Sequence, residues 1–123
     1  MNKIDLSELA TKDLVDRFAE IGRAQDQALL GGQIAKFNRL YDQMANVSNE
    51  LKSRPGDQRR ELITLYGFPN VHVRLKAAVH TLAVYPDEAK RQLEEIASMS
   101  WFPQTADASG MLDAINRGKY VPT

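Results

Sequence analysis

No cysteine occurs in the 123 residues. That excludes disulfides, thiol nucleophiles and every Cys-based metal site, and it makes a reducing cytoplasm the expected compartment. Only two histidines are present, His72 and His80. Eight residues apart, they lie roughly 80° around a helix, too far apart to share a metal, and neither opens an H-E-x-x-H pattern. Both are expected on polar surface or at a partner contact. Neither sign of charge is in excess, with sixteen basic and sixteen acidic residues. A zero balance argues against a protein that works on nucleic acid or on an anionic membrane. No apolar run approaches the roughly 18 residues needed to span a bilayer. The opening MNKIDLSELATKD carries acidic residues and no apolar core of signal-peptide length. Gly-rich phosphate loops and G-x-S-x-G are missing as well. No β-branched alternation lasts a strand length. From these absences no enzyme, no metal and no cofactor is expected.

What remains is helical periodicity, enough for one domain and about six helices. Leu14, Phe18, Ile21, Gln25 and Ala28 form one stripe over 12–30, with Thr11 as N-cap and Gly31-Gly32 as the stop. Gln25 interrupts that stripe with an amide. Ile34, Phe37, Leu40, Tyr41, Met44, Val47 and Leu51 give a wide apolar face over 33–52. Arg54-Pro55-Gly56-Asp57 breaks the chain. A short third helix, from 57 or 58 to 66, carries Leu62, Ile63, Leu65 and Tyr66, with Asp57 as its cap. Asn70 caps a fourth over 71–84. Pro86, at the favoured first position, opens a fifth that ends at 99. A sixth runs from 105 or 106 to Arg117, with Gly118 as its stop.

The pair of helices within NVHVRLKAAVHTLAVYPDEAKRQLEEIA is too short to bury its apolar faces alone and has to stack on other helices. Its Asn70-Val71-x-Val73-Arg74 start, Ala77-Ala78, Leu82, Pro86 and Leu93-x-x-Ile96-Ala97 ending resemble a HEAT-type or armadillo-like repeat. The resemblance implies an all-α fold, three antiparallel hairpins in a right-handed α-α superhelix. Three stretches, Glu50-Leu51-Lys52-x-Arg54-Pro55-Gly56-Asp57, Val73-Arg74-Leu75-Lys76-Ala77-Ala78 and Pro103-Gln104-x-Ala106-Asp107-Ala108, are similar to a bacterial family of small helical proteins of unknown function. That likeness implies a fold and no site.

Two features are candidates for contact. Lys52, Arg54, Arg59, Arg60, Arg74 and Lys76, opposed by Asp57 and Glu61, give residues 52–76 a formal charge of +4. They either converge on an anion or acidic partner or form a solvated, ion-paired face. Arg74 has the placement of a repeat arginine whose stem is buried and whose head pairs with an acid one repeat earlier. On the fifth helix, Lys90 with Glu94 and Arg91 with Glu95 stand four apart and are expected to pair. Trp101-Phe102-Pro103 sets two large aromatics in a loop. Such a loop more often caps a core, but an exposed Trp101 makes it the interface candidate. The leading expectation is a non-enzymatic scaffold that binds another protein through Trp101, Phe102, Arg59, Arg60 and Arg74. The alternative is nucleic-acid or phosphate-ligand binding through 52–76. Homo-oligomerisation through Met111, Leu112 and Ile115 is open.

Overall fold

The computed structural model describes residues 4–123. It is helical throughout and holds no strand among those residues. Five α-helices appear: α1 Thr11–Leu30, α2 Ile34–Ser53, α3 Val71–Thr81, α4 Pro86–Ala97 and α5 Gln104–Asn116. Two 3₁₀ segments, Leu6–Glu8 and Gln58–Gly67, complete the chain. Two compact units divide it, the first ending at Glu61 and the second spanning Leu62–Thr123.

In the first unit α1 and α2 pack as a hairpin. The expected stripe of α1 is buried at every position, Gln25 included, at 0% exposure. Gly32 turns the chain with a positive φ of 65°, a conformation glycine adopts without steric cost. α2 buries only its C-terminal half, through Met44, Val47 and Leu51. Ile34 and Tyr41 are exposed, at 74% and 57%, so the wide face read from the sequence is covered over half its length. Thr11 is the first residue of α1 and not its cap, a place taken by Ala10 with no side-chain bond. The Thr11 hydroxyl is turned instead toward Arg54 and Gln58.

The third expected helix is a 3₁₀ segment. Leu62 and Leu65 are its buried residues. At three residues per turn they lie directly above one another, whereas an α-helix would set them about 60° apart. The segment begins after Gly56 and Asp57, both at positive φ (80° and 53°), a region in which Asp is enriched among non-glycine residues. The Asp57 carboxylate does serve the first turn, accepting the Arg59 N–H at 3.3 Å.

In the second unit α4 packs against both α3 and α5. Asn70 caps α3, its side chain accepting the Val73 N–H at 3.1 Å. α3 ends at Thr81, three residues sooner than the periodicity predicts. The Thr81 hydroxyl turns back onto the carbonyls of Ala77 and Ala78 and meets the Tyr66 hydroxyl at 2.5 Å. A hydroxyl that competes for helix carbonyls in the last turn weakens continuation. Leu75, Ala78, Leu82, Ala89, Leu93 and Ile96 form the core, with Ala108 supplied by α5. Met111, Leu112 and Ile115 lie partly buried against it. Among the described residues, no helix is long and apolar enough to cross a membrane.

Candidate interaction site

The loop between α4 and α5 is built from the backbone outward. α4 stops where the Ser98 N–H reaches Glu94 and Glu95 carbonyls and its hydroxyl donates to Glu95 O at 2.6 Å. The chain then turns through Ser100, Trp101 and Phe102, with a cis Phe102–Pro103 peptide. Thr105, buried in the first turn of α5, holds this turn. Its hydroxyl accepts the Trp101 N–H at 3.0 Å and is directed at the carbonyls of Ile96 and Met99 at 3.1 and 3.0 Å. Its own N–H donates to Trp101 O at 2.8 Å. Both backbone polar groups of Trp101 are thereby fixed while the residue is 58% exposed. Phe102 beside it is 70% exposed. Core capping is therefore not what this pair does.

The basic segment is engaged within each unit. Arg54 is the most connected. Its Nε donates to Glu50 at 3.0 Å, Nη1 to the Thr11 hydroxyl at 3.2 Å, and Nη2 to the carbonyls of Leu6 and Leu9 at 3.1 and 2.6 Å. It joins the end of α2 to the N-terminal 3₁₀ turn, a structural task. Arg59 forks onto Asp57 at 2.9 and 2.6 Å, the bidentate geometry that a guanidinium favours. Arg60 donates to Gly56 O at 3.1 Å and is exposed.

In the second unit Arg74 reaches Glu95 at 2.9 Å. With the Gln92 amide oxygen turned toward it, Arg74 also donates there at 3.0 and 3.2 Å. Its stem is covered, as expected, but its acid lies 21 residues later and not one repeat earlier. Glu95 is thereby unavailable to Arg91, which pairs with Glu88 at 3.5 Å. The expected Arg91–Glu95 pair thus gives way to Arg74–Glu95 and Arg91–Glu88, because α3 brings a better-placed cation to α4, and the expected Lys90–Glu94 pair does not form. Lys76 is half-buried, and burial pushes its pKa down against the opposing field of Asp107.

His72 corrects the surface expectation. It is 2% exposed, with Nδ1 3.3 Å from the Gln104 amide nitrogen. α3 buries residues all round its circumference, and His72 falls among them. Among the described residues, no three His, Asp or Glu side chains are grouped to hold a metal ion.

The Arg59 guanidinium holds the Asp57 carboxyl below its ordinary 3.8, mainly through their hydrogen bond. A depressed folded-state pKa contributes stability above the unfolded value, and that contribution is lost as pH falls through the folded one. An NMR titration is therefore expected to place Asp57 below 3.8, and Arg59→Gln to return it toward that value. An ordinary titration that ignores Arg59→Gln would mean the pair does not form in solution.

Sequence reading passed over Thr105 and Arg54 as organisers. A threonine four residues after a loop aromatic carries no signal until the loop closes on it. No curated protein matches this sequence. The chain is similar to a protein of known crystal structure, RPA1889 from Rhodopseudomonas palustris CGA009. Identity is 50%, the match covers 98% of this chain and all of that one, and the TM-score is 0.95. Residues 12–116 match a family described as a domain of unknown function, DUF2019, and it is to this family that the chain belongs.

Proposed function

We propose that the protein is a non-enzymatic, protein-binding helical module of the cytoplasm, with α3 and α4 as a HEAT-like pair. One observation carries the reading: Trp101 and Phe102 stand exposed on a turn whose backbone Thr105 fixes. A rigid aromatic pair loses little entropy on docking and buries large apolar area, the usual make-up of an interface anchor. Contact through segment 52–76 to a nucleic acid or phosphate has less support. The guanidinium groups of Arg54, Arg59 and Arg74 already face carboxylates of the chain.

The test uses the full chain, immobilised and exposed to lysate of the source organism at low and high salt. A protein partner that survives high salt is expected. Its affinity should fall at least tenfold in Trp101→Ala/Phe102→Ala, about 1.4 kcal/mol. Capture indifferent to that substitution would sink the assignment. Nucleic acid recovered at low salt alone would favour the basic segment.

A further inference from the structure

We propose that one flank of α1 is a docking groove for a basic amphipathic helix of a partner protein. A hollow of ≈ 450 Å³ lies there, wholly within the first unit. Leu9, Ile21 and Ala24 line it together with Leu40 of α2, giving an apolar floor. Asp13, Asp16 and Glu20 line it as well, opposed by Arg17 within the lining and by Arg23 beside Glu20. Their steps of three and four residues set the carboxylates in one row over two turns, about 10 Å. All three are exposed. Asp13 and Asp16 enter no ion pair among the described residues. Glu20 meets only the exposed Arg23, at 3.2 Å, a kind of pair that yields readily to competition.

Floor and carboxylate row together select the occupant. An amphipathic helix presents an apolar stripe at i, i+3, i+4 and i+7, and lysines flanking that stripe repeat at the spacing of the carboxylates. A neutral or acidic helix would desolvate the row without compensating it. The whole chain is electrically neutral, so long-range attraction cannot supply this preference and the local row has to. The groove lies on a different unit from Trp101 and Phe102, and each assignment can fail without the other.

The probe is a synthetic 18-residue Leu/Lys amphipathic helix, with its Leu/Glu counterpart as control, titrated into the ¹⁵N-labelled full chain. Shifts are expected along Asp13–Ala24 and at Leu40 with the Lys peptide only. Asp13→Asn/Asp16→Asn should weaken that binding at least tenfold, while Glu94→Gln, exposed on α4, should leave it unchanged. No binding, equal binding of both peptides, shifts elsewhere, or indifference to the double substitution would each overturn the proposal. So would the same shifts arising with protein concentration alone, which would make a second copy the occupant.

Discussion

Arg54→Met is expected to destabilise the chain by about 3 kcal/mol. The substitution keeps most of the buried stem and removes the charged head. Glu50, whose side chain is only 22% exposed, then loses its partner, the Leu9 carbonyl loses its donor, and the Leu6 carbonyl keeps only the Leu9 N–H. Breaking such a set is costly because desolvated groups are left unmet, not because the ion pair itself is strong. Arg54→Lys should fall between the two, since an ammonium cannot span four acceptors in the guanidinium plane. Urea unfolding measures the change, and Glu50→Gln in the Arg54→Met background should cost much less than it does alone. A loss under 1 kcal/mol would show that water replaces the guanidinium. The N-terminal 3₁₀ turn should loosen first, seen as faster amide exchange at Leu9, whose N–H bonds Leu6 O at 3.1 Å.

Thr105→Val, nearly equal in shape, should cost about 2–3 kcal/mol. The valine methyl meets the Trp101 N–H and the Ile96 and Met99 carbonyls, where a hydroxyl had served all three. Thr105→Ser keeps that hydroxyl and gives up one buried methyl, about 0.8 kcal/mol. Trp101 is the only tryptophan, so its fluorescence anisotropy reports this turn directly. Lower anisotropy in the valine variant, restored in the serine variant, is the expected pattern. Unchanged anisotropy in both would show that Pro103 and the start of α5 hold the turn without the hydroxyl. Because a docking aromatic gains from a fixed backbone, partner affinity should fall with Thr105→Val even though both rings remain.

Much of the architecture is legible in local pattern. The α1 stripe, the stop at Gly31-Gly32, the Asn70 cap and the Pro86 start all lie where the residue types place them. So do Leu75, Ala78, Leu82, Leu93 and Ile96 of the core. The 3₁₀ form of Gln58–Gly67 was not legible, since apolar residues at 62, 63, 65 and 66 suit either winding. The candidate site divides the same way. Trp101-Phe102-Pro103 is conspicuous in the sequence, but its exposure appears only in the folded chain, where Thr105 bonds the Trp101 backbone. The α1 groove was not read from the sequence, because three carboxylates on an exposed helix face carry no signal without a floor that needs Leu9 and Leu40 from separate elements.

By itself, then, the sequence determined the helical class, the breaks between helices and the apolar faces. These follow from 3.6-residue periodicity and from glycine and proline acting on their immediate neighbours. Only the tertiary structure decided that Arg54 ties an N-terminal turn to α2, that Arg74 takes Glu95, that His72 is buried and that Trp101 is not. Each of those outcomes rests on a group brought close from tens of residues away, or on one that fails to arrive, and short-range pattern holds no record of either.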